Sequence, residues 1–196
     1  MSRAALLAEL RPHIADPRVL EAIAAVPREA FVDPADVDRA YDNRALGIGC
    51  GQTISQPLVV ARMCELLAVR PGDRVLDVGT GSGYHAAVLV ALGARVTSIE
   101  IHPELSAAAA ARLPGVELVV GDGRLGHPPG APYDAISVAA TAREIPPALL
   151  EQLTPGGRLV VPLRERRRER LVLVVRGSDG RPHREELEDV RFVPLV

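Results

Sequence analysis

The chain has 196 residues, 47% of them hydrophobic, so one sizeable core is possible and we expect a single domain over residues 1–196. Its 23 basic residues, all arginine, are balanced by 25 acidic ones, and this net charge of −2 disfavours nucleic acid as a partner. No apolar stretch is long enough to span a membrane, and we expect no signal peptide, no disulfide framework and a cytoplasmic monomer.

Residues 1–70 are predicted to be helical except for one long irregular stretch, Asp42 to Gln56, which contains three glycines. An irregular stretch of this length inside a compact domain is usually functional. Residues 1–56 are therefore interpreted as N-terminal helices with a substrate loop, and residues 57–196 as the cofactor-binding core. The helix that begins near Pro57 has one apolar face, made of Val59, Met63, Leu66 and Leu67.

From Asp73 onward, β-branched runs alternate with runs rich in alanine and leucine, which predicts a parallel sheet with crossover helices. The predicted strands are Arg74–Val78, Arg95–Ile99, Val116–Val120, Tyr133–Ala139 and Arg158–Leu163. The predicted helices between them are Tyr84–Leu92, Pro103–Leu113 and Pro146–Leu153. Two final strands, Arg170–Arg176 and Glu186–Val193, are predicted to form an antiparallel edge.

A carboxylate and a glycine turn follow the first of these strands. The glycines are spaced G-x-G-x-G at positions 79, 81 and 83, two residues after Asp77. A dinucleotide site needs a third glycine where this chain has Tyr84, and Asp77 would repel a pyrophosphate but suits a cation. The spacing D-x-G-x-G-x-G resembles motif I of the class I S-adenosylmethionine-dependent methyltransferases. The alternative is a glycine turn that only forms a tight strand-to-helix corner.

Two further signals lie at the ends of the next strands, where open parallel sheets bind ligands. Glu100 follows Gly79 by about 20 residues, the spacing at which an acidic residue accepts hydrogen bonds from ribose hydroxyls. The turn Gly121-Asp122-Gly123 allows backbone donors to approach an adenine edge while the carboxylate accepts from the adenine amino group. Each alone could be a turn or a helix-terminal charge, but together they favour an adenosine site.

The segment Gly51-Gln52-Thr53-Ile54-Ser55-Gln56-Pro57 places two hydroxyls and two amides before a helix N-terminus. Free N–H groups and the positive end of the helix dipole favour an anion there. The alternative is a simple N-cap made by Ser55 or Gln56, but a cap needs only one of these polar groups.

The chain resembles the protein-L-isoaspartate O-methyltransferase family from about Val19 to the C-terminus. The strings that carry the resemblance are the polar segment 51–57, the glycine run 79–84, Tyr133-Asp134-Ala135-Ile136 and Phe192-Val193-Pro194-Leu195. The resemblance implies a Rossmann-like α/β fold with a mostly parallel twisted sheet, helices on both faces, an antiparallel C-terminal edge and a helical N-terminal extension. It also implies methyl transfer from S-adenosylmethionine to the α-carboxylate of L-isoaspartyl residues in damaged proteins and peptides.

The resemblance further implies a role for thirteen residues. Ser55 is expected to be the catalytic hydroxyl that contacts the substrate carboxylate, with Thr53 and Ile54 beside it. The expected cofactor-binding residues are Asp77, Gly79, Thr80, Gly81, Ser82, Gly83, Tyr84, Glu100, Asp122 and Gly123. No metal is expected, because neither Cys50 nor Cys64 has a histidine nearby in sequence.

Two other features are interpreted without a functional role. His102 is predicted to be a surface group. The charged run Arg164–Arg170 is predicted to be a solvated turn between two strands rather than a site that attracts acidic substrates.

Three alternatives stay open at this point. The first is a related methyltransferase that acts on an aspartyl residue of one dedicated peptide. The second is a non-catalytic module that binds S-adenosylmethionine. The third is a nicotinamide oxidoreductase, which Asp77 and Tyr84 both disfavour.

Overall fold

A computed structural model describes residues 1–196. The helices are α1 (Arg3–Leu10), α2 (Pro17–Ala25), α3 (Pro57–Leu67), α4 (Tyr84–Ala91), α5 (Pro103–Ala110) and α6 (Pro147–Glu151). The strands are β1 (Leu46–Gly49), β2 (Gln52–Ile54), β3 (Arg74–Val78), β4 (Arg95–Glu100), β5 (Glu117–Val120), β6 (Tyr133–Val138), β7 (Leu153–Glu165), β8 (Arg168–Arg176) and β9 (Pro182–Asp189). None of the helices is long and apolar enough to cross a membrane.

Seven strands form one sheet in the order β5-β4-β3-β6-β7-β8-β9. The first five strands in this order, from β5 to β7, run parallel to one another. Strand β8 runs antiparallel to β7, and β9 runs antiparallel to β8. The chain moves outward from β3 in both directions, so the topological switch point lies between β3 and β6, where open sheets leave a crevice at the carboxyl ends of their strands. The predicted α/β fold with an antiparallel C-terminal edge is confirmed.

The two faces of the sheet are covered unequally. The larger apolar cluster contains 32 buried residues, drawn from helices α1 to α5 and from one face of the sheet, as Val75 and Val160 show. The smaller cluster contains 14 buried residues on the other face, including Leu76 and Ile136, and α6 contributes Leu149 to it. Because adjacent residues of a strand point to opposite faces, Val75 and Leu76 belong to different clusters.

Two sequence-based expectations about secondary structure are wrong. The stretch 42–56 is not irregular throughout, because β1 and β2 pair as an antiparallel hairpin whose turn has positive φ at Gly49, Cys50 and Gly51. The last strand is Pro182–Asp189 rather than Glu186–Val193, since it pairs with β8 immediately after the Gly177–Arg181 turn. Its charged, exposed side chains concealed it from a search for apolar runs.

The apolar face of α3 is rotated from the predicted one. Met63 and Leu67 are buried as expected, but Val60 and Cys64 share their face, while Val59 and Leu66 are only half-buried. Gln56 is the N-cap residue and makes no side-chain capping bond. Asn43 supplies the missing acceptor, since its Oδ1 accepts from the Leu58 N–H at 3.0 Å. The capping alternative for Ser55 therefore fails.

Gly83 holds the start of α4 close to the end of α5. Its φ is +90°, and a Cβ there would lie 2.9 Å from Leu113 Cδ1 and 3.4 Å from Ala109 Cβ. The third glycine of the G-x-G-x-G run is therefore required for a left-handed backbone and for helix packing.

We expect Gly83→Ala to lower the free energy of unfolding by about 2–4 kcal/mol, from left-handed strain of about 1–2 kcal/mol and overpacking against Leu113 of a similar size. Urea unfolding measures the loss. Gly115→Ala is the matched control, because Gly115 has φ +82° and no atom lies within 4 Å of the place its methyl group would take, so only strain applies. Equal losses in the two variants would contradict the packing argument.

Candidate active site

A cleft lies at the carboxyl ends of β3, β4 and β6. It has about 760 Å³ of empty space, part of it open to solvent. The hairpin closes one side, and the C-terminal residues 193–196 close another. Ten of the thirteen predicted site residues line it: Thr53, Ile54, Ser55, Gly79, Thr80, Gly81, Ser82, Tyr84, Glu100 and Gly123.

The glycine turn forms the floor of the cleft. Gly79 has φ +94° and Gly81 has φ +52°, both in the left-handed region that favours glycine. A Cβ on Gly81 would lie 3.3 Å from Ile48 Cδ1, so the turn and the hairpin approach each other closely. The turn thus exposes backbone to a ligand at a place where a side chain would occupy the space.

Glu100 is the one buried carboxylate that borders the cleft. It is 5% exposed and accepts hydrogen bonds from the Gly81 N–H at 2.8 Å and the His102 N–H at 3.0 Å. An ionised carboxylate has about four acceptor positions, so two remain for a ligand. This geometry suits a pair of ribose hydroxyls.

Asp77 lies beneath the glycine turn and does not line the cleft. It is fully buried, and its Oδ2 accepts from Ser98 Oγ at 2.8 Å. The Ser98 hydroxyl is also 2.7 Å from Thr80 Oγ1, and His85 Nδ1 lies 3.6 Å from Asp77 Oδ1. Asp77 therefore acts on the cleft through this polar cluster and through its charge, not by direct contact.

Burial shifts the pKa of both titratable groups in this cluster. Loss of solvent raises the pKa of Asp77 to about 7, although the Ser98 hydrogen bond opposes the shift. Burial lowers the pKa of His85 to about 4. Near neutral pH, His85 is therefore uncharged, and the carboxyl group of Asp77 is close to its titration midpoint.

Gly83 and Asp122 also lie outside the cleft lining. Gly83 faces Leu113, as described above. Asp122 is turned toward Arg124, with Nε to Oδ1 at 3.0 Å and Nη2 to Oδ2 at 2.8 Å. Gly123, next to it, does line the cleft. An adenine-binding role for Asp122 remains a prediction, which requires that its carboxylate leave Arg124.

Tyr84 lines the cleft, but its ring belongs to the core. The ring packs edge-on against Phe31 at 5.6 Å between centroids, and Arg28 Cζ lies 4.9 Å from its centroid. Arg28 is completely buried, and its Nε donates to the Ala40 carbonyl at 2.8 Å. Burial lowers the pKa of Arg28 to about 10, so it remains charged at neutral pH. This contact joins the N-terminal segment to α4.

Ser55 lies between two openings. It is half-buried, lines the cleft together with Thr53, and also lines a neighbouring surface groove. That groove contains three arginines, Arg167, Arg168 and Arg191, and two acidic residues, Glu169 and Asp189. Within the run Arg164–Arg170, only Arg166 and Arg167 form the turn between β7 and β8, and the other residues extend the two paired strands. Arg167 and Arg168 also supply positive charge to this groove.

Sequence reasoning missed several residues of the cleft. Gln52, His85 and His102 line it, so His102 is not merely a surface group. Ala139 and Ala140, directly after β6, line it as well. The strand-end rule used for Glu100 and Asp122 could have found the two alanines, because β6 is adjacent to β3. Gln52 belongs to the polar segment 51–57, and residues 193–195 belong to a string that carries the family resemblance, but no local signal assigned these particular side chains to the cleft.

The family model for protein-L-isoaspartate(D-aspartate) O-methyltransferase matches residues 1–196. A protein-L-isoaspartate O-methyltransferase from Anaeromyxobacter dehalogenans (strain 2CP-C) is 51% identical over 199 residues, which cover 97% of this chain and 95% of the relative.

Two solved structures have similar folds. One, a protein-L-isoaspartate O-methyltransferase, superposes with a TM-score of 0.89 at 28% identity and covers 98% of this chain; the matched part is 65% of that longer chain. The other, from Plasmodium falciparum, is in complex with S-adenosyl-L-homocysteine and superposes with a TM-score of 0.87 at 23% identity, covering 100% of this chain and 99% of that one. At this lower identity the second likeness concerns the fold alone.

The raised pKa of Asp77 predicts a pH dependence of stability. Between pH about 4 and about 7 the folded protein keeps a proton on Asp77 that the unfolded chain has lost, so the stability contributed by this group falls as pH rises. The lowered pKa of His85 acts with opposite sign between pH about 4 and 6.5, so the contribution of Asp77 emerges only as a difference between variants.

The quantity to measure is the free energy of unfolding of the unchanged protein minus that of Asp77→Asn, each obtained by urea unfolding. We expect this difference to fall by about 1–3 kcal/mol between pH 4 and pH 8. Ser98→Ala is the control, because it removes the hydrogen bond that favours the ionised form and should move the decline to higher pH. A difference that does not change with pH would show that Asp77 is already ionised in the folded protein.

Proposed function

This chain belongs to the protein-L-isoaspartate(D-aspartate) O-methyltransferase family, and we propose that its cleft and hairpin perform the reaction of that family. The enzyme transfers a methyl group from S-adenosylmethionine to the free α-carboxylate of L-isoaspartyl residues in damaged proteins and peptides. The methyl ester then closes to a succinimide, which initiates repair. The observation that carries this proposal is the position of Ser55 between the cleft and an arginine-lined groove.

The residues of the cleft fit S-adenosylmethionine. Glu100 has free acceptor positions for the ribose hydroxyls, and the turn at Gly79 and Gly81 leaves space where a Cβ would intrude. Thr80 and Ser82 line the same floor, and Gly123 lies where the adenine would approach. When bound, this cofactor supplies a methyl group on a positively charged sulfur. The negative charge of Glu100 and the partial charge of Asp77 favour such a cation.

The substrate would approach through the groove on the other side of Ser55. Three arginines, against the acidic residues Glu169 and Asp189, leave that groove with a small excess of positive charge, which favours a carboxylate-bearing peptide. Thr53 lines both the cleft and the groove, and Ile54 is 3% exposed beside them. The hairpin and Ser55 therefore border both the cofactor cleft and the substrate groove, where the carboxylate oxygen and the methyl group must come into direct contact.

The chemistry requires alignment more than proton transfer. An α-carboxyl group has an unperturbed pKa of about 3.3–3.7, so the nucleophile is already ionised near pH 7 and needs no general base. Ser55 would donate a hydrogen bond to one carboxylate oxygen and hold the other in line with the methyl group. The hairpin and the C-terminal residues would exclude water. Positioning of this kind contributes on the order of 7–11 kcal/mol to catalysis.

We further propose a cytoplasmic monomer that acts as one domain and binds neither nucleic acid nor membranes. Residues 1–56 and the sheet contribute to the same apolar cluster, which supports one domain. Cys50 and Cys64 are both free thiols, which agrees with a reducing compartment. The net charge of −2 supports the absence of a nucleic-acid partner.

The direct test uses two peptides that differ only at one residue, isoaspartyl in one and aspartyl in the other. With labelled S-adenosylmethionine, we expect methylation of the isoaspartyl peptide and little of the aspartyl peptide. Preference for the aspartyl peptide would indicate a dedicated aspartyl methyltransferase. Cofactor binding by calorimetry without methylation of either peptide would indicate a non-catalytic module.

Ser55 and Glu100 should show opposite kinetic signatures. We expect Ser55→Ala to reduce kcat by about 10²–10³-fold with nearly unchanged cofactor affinity, as when one positioned donor is lost from a catalytic site. We expect Glu100→Gln to weaken cofactor binding by about 10–100-fold, because a charge-assisted hydrogen bond contributes about 1.5–3 kcal/mol. Calorimetry with S-adenosyl-L-homocysteine and single-turnover kinetics separate the two effects.

Glu144→Gln is the matched control for both, because Glu144 is exposed and lies outside the cleft. It should change neither quantity. A fall in cofactor affinity for Ser55→Ala without a change in kcat would contradict the role assigned to Ser55.

A further inference from the structure

Three side chains with metal-binding atoms meet at the rim of the cleft. They are Cys50 in the hairpin turn and His102 and Glu104 at the start of α5, and their ligand atoms all lie within 4.8 Å of one another. Cys50 and Glu104 are exposed, and His102 is half-buried. Nothing in the methyl-transfer chemistry requires a thiol and an imidazole at this place.

The three groups form a ligand set that Zn²⁺ prefers. Zinc sites with an open position use three protein ligands drawn from cysteine, histidine and carboxylate, with bonds of about 2.0–2.3 Å. Tetrahedral geometry with such bonds places ligand atoms roughly 3.3–3.8 Å apart. The observed separations therefore need to close by about 1 to 1.5 Å at most, and the exposed side chains of Cys50 and Glu104 have the rotamer freedom to do so.

The backbone around the three ligands is already ordered. His102 is the N-cap residue of α5, with its N–H held by Glu100 at 3.0 Å, and Glu104 lies in the first turn of that helix. Cys50 has φ +50° in a turn whose strands are paired. Gln52 Nε2 lies 3.5 Å from His102 Nε2, so the hairpin and the imidazole already approach each other. The buried carboxylate of Glu100 adds negative charge nearby.

We propose that Cys50, His102 and Glu104 bind one Zn²⁺ ion, with water in the fourth position, and that the ion ties the β1–β2 hairpin to α5 at the rim of the cleft. Two ligands come from one helix start and the third from a hairpin far earlier in the chain. The metal therefore bridges two elements that carry different parts of the proposed site. The proposal does not depend on methyl transfer.

The first test is zinc binding by the unliganded full chain, in competition with a chromophoric chelator at pH 7. We expect one ion per chain, and a loss of affinity of at least about 10-fold in Cys50→Ser and in Glu104→Gln, since even outer-shell changes cost about 10–100-fold. His13→Ala, which removes an exposed histidine elsewhere, should bind normally. Substituted Co²⁺ should show near-ultraviolet thiolate absorption that disappears in Cys50→Ser, where the buried Cys64 remains.

The second test is amide hydrogen exchange in residues 46–54. Zinc should slow exchange there in the unchanged chain and have no effect in Cys50→Ser. The proposal is overturned if Cys50→Ser or Glu104→Gln binds zinc as tightly as the unchanged chain, if Co²⁺ shows no thiolate absorption, or if zinc leaves exchange in the hairpin unchanged.

Discussion

The cleft depends on one buried carboxylate. Glu100 accepts from the Gly81 N–H in the turn after β3 and from the His102 N–H at the start of α5. A buried carboxylate is costly unless hydrogen bonds replace its hydration, and two backbone donors do so here. The same two bonds set the distance between the glycine turn and α5. The carboxylate that we propose to bind the ribose is thus also the group that connects the glycine turn to α5.

The two carboxylates near the proposed cofactor position differ in environment. Glu100 borders the cleft and retains acceptor capacity, whereas Asp77 is enclosed beneath it with one hydroxyl donor and a neutral histidine nearby. Burial therefore raises the pKa of Asp77 to about 7. A cationic ligand above it would favour the ionised form, so cofactor binding and proton release from Asp77 are expected to be linked.

Part of the candidate site could be predicted from the sequence because its signals are local. The glycine spacing, the acidic residue after β4 and the polar segment before α3 each lie within a few residues of a strand or helix end, and parallel sheets bring such ends together. The role of each individual motif residue was harder to predict from the sequence. Gly83 and Asp122 belong to the same short motifs as Gly81 and Gly123, yet one packs against Leu113 and the other pairs with Arg124.

From the sequence we could predict the α/β class, the order of the main-sheet strands along the chain and ten of the 23 residues that line the cleft, because periodicity and turn chemistry act over short distances. Which elements that are distant in sequence come to face the cleft could be seen only in the folded structure. The contact of Arg28 with Tyr84, the groove beside Ser55 and the meeting of Cys50 with His102 join residues that are distant in sequence. Spacing in the sequence does not predict these contacts, because they depend on how the helices and strands pack against one another.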